Sequence, residues 1–141
     1  MVYDKAEWHY DGDYPDDLPD ENGATHIGMF LAWVVLHELE GELHRDEWPE
    51  ALAALRARRI TGRDFVMKQC DGTLGEDELS PEGNDFAADY YASDQYLADY
   101  ANVLSGDNPT LYHVADTWEN YDRIAVVIDR RFKEWQGKTR L

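Results

Sequence analysis

His37-Glu38-Leu39-Glu40-Gly41 opens like the helical zinc motif in which two histidines one turn apart hold the metal and the intervening glutamate acts as base. The second histidine would be residue 41, and that residue is glycine. On one continuous helix His37 and His44 share a face with Glu40 between them, so two imidazoles and a carboxylate stay open as a zinc set. A solvated helix face with ordinary histidines is the plainer account. His9, His26 and His113 are isolated in the chain, and their spacing does not group them. Asp11-Gly12-Asp13-Tyr14-Pro15-Asp16-Asp17 invites a calcium loop, which needs Gly at its sixth position and Glu at its twelfth; Asp16 and Asn22 stand there instead. Cys70 has no CxxC partner and reads as a small buried hydrophobe. Of the three serines, Ser80 reads as a helix cap, and none lies in a Gly-x-Ser-x-Gly elbow. Phosphate-cradling glycine loops are missing. The expectation is a protein without catalytic residues and without a cofactor.

Carboxylates are too abundant to nominate a pair. The 141 residues carry 30 acids against 13 bases, for a net charge of −17. Two blocks hold most of the excess: residues 1–25 and residues 80–116 each sum to −7, the second without a single Lys or Arg. The last 25 residues reverse to +2. Such a surface repels phosphate, which disfavours direct binding to nucleic acid or to an anionic membrane. The start of the chain lacks the basic and apolar regions of a secretory signal. The longest apolar run, residues 27–36, is half of the roughly 20 residues that span a bilayer. One cysteine suits a reducing compartment, so a cytoplasmic location is expected.

These groups must be held by a fold, and the pattern predicts a single, mostly all-α domain of about five helices. Residues 1–23 read as an extended arm, since Gly12, Pro15, Pro19 and Gly23 break helices. Its Tyr3, Trp8, Tyr10, Tyr14 and Leu18 predict that the arm packs on the helical body, residues 24–136. Asn22 or Thr25 is expected to cap a first helix that buries the run 27–36 and continues to Leu43. Pro49 opens a second helix, and Thr61 caps a third that holds Phe65, Val66 and Cys70. Ser80-Pro81 starts a fourth, which is expected to bury Phe86, Tyr90, Leu97, Ala101 and Leu104. Asp116 heads the last, whose stripe is Trp118, Tyr121, Ala125, Ile128, Phe132 and Trp135. No hairpin signal stands out.

Three stretches carry a resemblance: Tyr3-Asp4-Lys5-Ala6-Glu7-Trp8-His9-Tyr10, the Tyr14-Pro15 and Leu18-Pro19 steps, and Ala24-Thr25-His26-Ile27-Gly28-Met29-Phe30-Leu31-Ala32-Trp33. Ile60-Thr61-Gly62, Phe65, Cys70-Asp71, Gly83-Asn84, Phe86 and Asp89-Tyr90-Tyr91 extend it over most of the chain. Together they resemble a family of short acidic bacterial proteins of unknown function. In type, though not by motif, such proteins are similar to immunity proteins that neutralise toxins.

The leading expectation is therefore a cytoplasmic immunity or inhibitor protein that binds a basic toxin domain. Acids interleaved with Tyr and Trp supply steering and anchors, which points to Trp8, Asp11, Asp13, Asp16, Asp17, Asp85, Asp89, Tyr91, Asp94 and Tyr96. On a continuous helix Tyr91 and Tyr96 turn away from the core-facing Tyr90. The alternative is a metal-binding protein or metal-dependent enzyme built on His37 and His44. A plain adaptor, with homodimerisation open, is the third reading.

Overall fold

Helix α2, Thr25–Leu36, runs through the middle of the molecule, and every residue from Thr25 to Val35 is buried. An apolar run with no polar face has to be enclosed on all sides. Its neighbours are α4, Pro49–Arg56, α5, Gly62–Gln69, and α8, Trp118–Thr139. The computed structural model describes residues 1–139.

The α2–α5 contact is backbone on backbone. A Cβ on Gly62 would stand 1.8 Å from the Gly28 carbonyl oxygen, and one on Gly28 would stand 2.2 Å from the Arg63 amide nitrogen. Two glycines that face each other let the helix axes approach more closely than any side chain permits. The predicted starts of α4, α5 and α6, Pro81–Tyr90, are found. Pro49 occupies the first turn of α4. Thr61 and Asp64 form a reciprocal capping box on α5. Ser80 accepts from the Gly83 amide at 3.1 Å, with Pro81 behind it.

The architecture is mostly helical and compact, with eight α-helices among the described residues and a small sheet. That count corrects the expected five. Part of the difference lies in the arm, where β1, Val2–Lys5, pairs antiparallel with β2, Thr73–Gly75, and leads straight into α1, Ala6–Tyr10. The strand pair joins segments about 70 residues apart, so no hairpin signal marks it. The arm then packs inward: Tyr3 donates its hydroxyl to Asn84 Oδ1 at 2.8 Å, and Tyr14 lies 5.0 Å from Tyr112, ring to ring.

Two of the expected helices are each broken by a non-glycine residue in the left-handed region. α2 ends at Leu36, not Leu43, because Glu38 adopts φ 57°. Leu39 N–H then returns to the Val34 carbonyl at 2.8 Å and Glu38 N–H to that of Val35 at 3.1 Å, the paired closure of a Schellman cap. Leu39 is buried at the turn, and helix resumes at α3, Glu42–Glu47. The second break separates α6 from α7, Gln95–Tyr100, with Asp94 at φ 68°. A π-turn, Ala101–Ser105, follows. Caps differ too. Neither Asn22 nor Thr25 caps α2: Ala24 holds that position, and Asn22 donates to the Tyr112 carbonyl. Thr117, not Asp116, accepts from the Asn120 amide at the start of α8.

The core is rich in rings. Phe30 stands among Phe86, Tyr90, Tyr91 and Tyr96, with centroids 5.0–6.4 Å away. α8 closes it with Tyr121, Ile124 and Ile128. Trp33 packs edge-on to Phe132 and donates its indole N–H to Asp129 at 2.8 Å. Each such ring or aliphatic side chain taken from water is worth about 1.5–3 kcal/mol.

Candidate functional site

Asp4 on β1, His9 on α1 and His26 on α2 meet where the arm docks on the central helix. Asp4 Oδ1 lies 2.7 Å from His9 Nε2, and Oδ2 lies 3.0 Å from His26 Nε2. Tyr91 donates its hydroxyl to Oδ2 at 2.5 Å, and the Lys5 amide donates to Oδ1 at 2.8 Å. On the far side of His9, Nδ1 lies 2.7 Å from the Tyr112 hydroxyl. The two imidazoles meet edge to face at 4.5 Å. Tyr96 is part of the frame, donating to the His26 carbonyl at 2.6 Å.

The electrostatics follow from burial. Desolvation alone would raise the Asp4 pKa, but the hydrogen bonds from His26 and His9, the His26 charge and the Tyr91 hydroxyl outweigh it. The carboxyl is held well below the usual range. His26 is fully enclosed, and burial pushes its imidazole down despite Asp4. Burial raises the Tyr91 hydroxyl well above its ordinary value, so it serves as a donor and not as a base. His26 Nδ1 and the Tyr100 hydroxyl are buried without a hydrogen-bond partner, and their rings are 5.9 Å apart.

A second group joins His44 on α3, Cys70 at the end of α5 and Glu78 in the turn after β2. Cys70 Sγ lies 3.9 Å from His44 Nε2, and Glu78 accepts from the Gly75 amide at 2.6 Å. Desolvation pushes the Cys70 thiol far up, raises Glu78 and lowers His44. A thiol in that state is a poor nucleophile, in keeping with its reading as a small packed residue.

The His37–His44 zinc set that the sequence left open does not form. The turn at Glu38 ends the helix, so His37 and His44 no longer share a face. His37 is exposed, stacks on Trp33 at 4.2 Å and lies 3.0 Å from Asp129. His44 is buried against Phe65.

The expected partner-binding residues divide. Trp8 is exposed, as are Asp11, Asp13, Asp16, Asp17, Asp85, Asp89 and Asp94. Asp17 lies 3.4 Å from His113, and Asp89 accepts from the Trp135 indole at 2.8 Å. Tyr91 and Tyr96 are not surface anchors: they are 7% and 0% exposed. The break at Asp94 rotates α7 against α6, so Tyr91 and Tyr96 stack on each other at 5.1 Å inside the core.

A family model described as a domain of unknown function, DUF7832, matches residues 2–114. The chain belongs to the DUF7832 family. No curated protein and no solved structure matches it. The DUF7832 match takes in Asp4, His9, His26, Tyr91 and Tyr112 and ends ahead of α8. The first four of those residues also lie in the stretches that carry the resemblance, and the fold gathers them at one point. No helix among the described residues is long and apolar enough to cross a membrane.

Proposed function

We propose that this DUF7832 chain is a partner-binding protein of the immunity type. Its acidic N-terminal face would capture and block a basic protein domain, in the first instance a bacterial toxin domain acting in the cytoplasm. Trp8 carries the reading. It is 55% exposed, the one aromatic among the exposed large hydrophobic side chains of the described residues. Exposed Glu7 on α1 and Asp11 just past its end flank it, and Asp13, Asp16 and Asp17 follow. The rest of the arm is tied to the body through the hydroxyl of Tyr3, the Tyr14 ring against Tyr112 and the His9 imidazole, which makes this a preorganised surface and not a loose tail.

A tryptophan left in water among carboxylates suits a cationic partner. The ring offers contact area and a face for Arg or Lys, and the acids speed capture. Lys5 already sits 6.0 Å above that ring, an example of the geometry within the chain itself. The net charge of −17 disfavours a nucleic-acid ligand. If the partner attacks nucleic acid, the row of carboxylates can fill its phosphate groove. Asp85, Asp89 and Asp94 add steering charge, whereas Tyr91 and Tyr96 contribute only through the core.

The test is capture from native lysate at low and high salt with mass spectrometry, then titration of the captured domain against Trp8→Ala. A stoichiometric basic partner, released by salt and bound at least tenfold more weakly by the variant, supports the reading. A partner held equally by Trp8→Ala, or no stoichiometric partner, contradicts it.

A further inference from the structure

We propose that Asp4, His9 and His26 form a site for one divalent transition-metal ion, with Zn²⁺ the best match. The two imidazoles come from different helices and present Nε2 to the same carboxylate. One ligand atom from each of the three residues falls within a set spaced no more than 4.8 Å apart. Ligands of a tetrahedral zinc, each at about 2.0–2.1 Å, stand about 3.3 Å from one another. The two imidazole–carboxylate contacts, 2.7 Å to Oδ1 and 3.0 Å to Oδ2, fall short of that spacing by about 0.3–0.6 Å, and no edge of the ligand set exceeds 4.8 Å, so side-chain adjustment brings the three onto one ion. Two imidazoles and a carboxylate suit zinc and its neighbours better than magnesium or calcium, which favour oxygen.

The surroundings already resemble those of a metal site. A ligating histidine is usually oriented through its other ring nitrogen, and His9 Nδ1 has the Tyr112 hydroxyl at 2.7 Å. Tyr91 orients the carboxylate in the same way. His9 keeps 15% of its side chain accessible, which supplies an entry side, while His26 forms the closed floor. An ion here would fasten β1 and α1 to α2. The competing group, His44, Cys70 and Glu78, offers a single imidazole, and its sulfur stands 3.9 Å from His44 Nε2. The proposal is separate from the basic-partner reading, because none of its ligands is an exposed acid.

The experiment uses the full chain stripped with chelator and titrated with Zn²⁺ alone, with metal content measured after dialysis. Wild type is expected to retain one equivalent. His9→Gln, at the accessible ligand, should bind at least tenfold more weakly, and Tyr112→Phe about 10–100-fold more weakly. Circular dichroism confirms that each variant is folded, and Tyr112→Phe decides the matter if His9→Gln is not. Cys70→Ser should bind as wild type does, and the Co²⁺ form should lack a thiolate charge-transfer band. No retained equivalent in wild type, full binding by the folded His9 or Tyr112 variants, or loss of binding in Cys70→Ser would overturn the proposal.

Discussion

Tyr91 reaches back across 87 residues to give its hydroxyl to Asp4 Oδ2 at 2.5 Å, tying α6 to the first strand of the chain. This bond is the reason a tyrosine that looks like an interface anchor in sequence is a core residue in the fold. Removing the hydroxyl leaves a buried carboxylate short of a donor. A hydrogen bond to a charged group is worth about 1.5–3 kcal/mol. Tyr91→Phe should therefore lower the free energy of unfolding by that amount in metal-free protein. Urea unfolding checks it, and a midpoint equal to wild type would remove Asp4 as the partner of this hydroxyl.

The Gly28–Gly62 crossing makes a sharper demand. A methyl group at Gly62 has no room 1.8 Å from a carbonyl oxygen, so α2 and α5 must separate. Gly62→Ala is expected to destabilise by about 3 kcal/mol or more, at the top of the range for overpacking. Gly137 on α8 has nothing within 4 Å of such a methyl group, and Gly137→Ala should instead stabilise by about 0.5–1 kcal/mol. Thermal melts of the two variants should move in opposite directions, and equal shifts would refute the close crossing.

Asp99 supplies a pH dependence. Burial would raise its carboxyl, but the Arg131 hydrogen bonds at 3.0 and 3.1 Å and the Tyr90 hydroxyl outweigh that and bring it below its ordinary value. A depressed carboxylate contributes stability above its unfolded pKa, and that contribution is lost as pH falls through the folded one. Asp116 and Glu78, raised by burial, act in the opposite sense and partly mask the trend. The difference between wild type and Asp99→Asn isolates it. That difference should be largest near neutral pH and shrink below about pH 4, where the unfolded carboxyl begins to protonate. A gap independent of pH would exclude the Asp99–Arg131 pair as its source.

What was legible in the sequence was local. Ser80-Pro81, Thr61 and Pro49 mark helix starts through the residue types at the start itself, and all three are found. The apolar run announced the burial of α2, and the stripe marked the inward side of α8, where Tyr121 and Ile128 are buried and Trp118, Ala125, Phe132 and Trp135 are half-buried. What was not legible depends on distant pairing or on backbone strain. Val2–Lys5 is too short to read as a strand until Thr73–Gly75 lies beside it. The breaks at Glu38 and Asp94 use left-handed backbone without glycine, so the usual punctuation is missing. The Asp4 cluster joins residues 5, 22 and 87 positions away and, through His9, Tyr112 a further 103 along. The stretches that carry the resemblance held all of its members but Tyr112, and nothing in their spacing showed that they converge.

The acidic face around Trp8 is tested by the association rate of the captured basic domain at low and high salt. It is compared between wild type and a variant carrying Asp11→Lys, Asp13→Lys and Asp16→Lys. Fast binding by wild type that slows steeply with salt is predicted, together with at least a tenfold slower rate and a flatter salt response in the variant. Equal rates and equal salt response would place the partner elsewhere on the molecule and contradict the account.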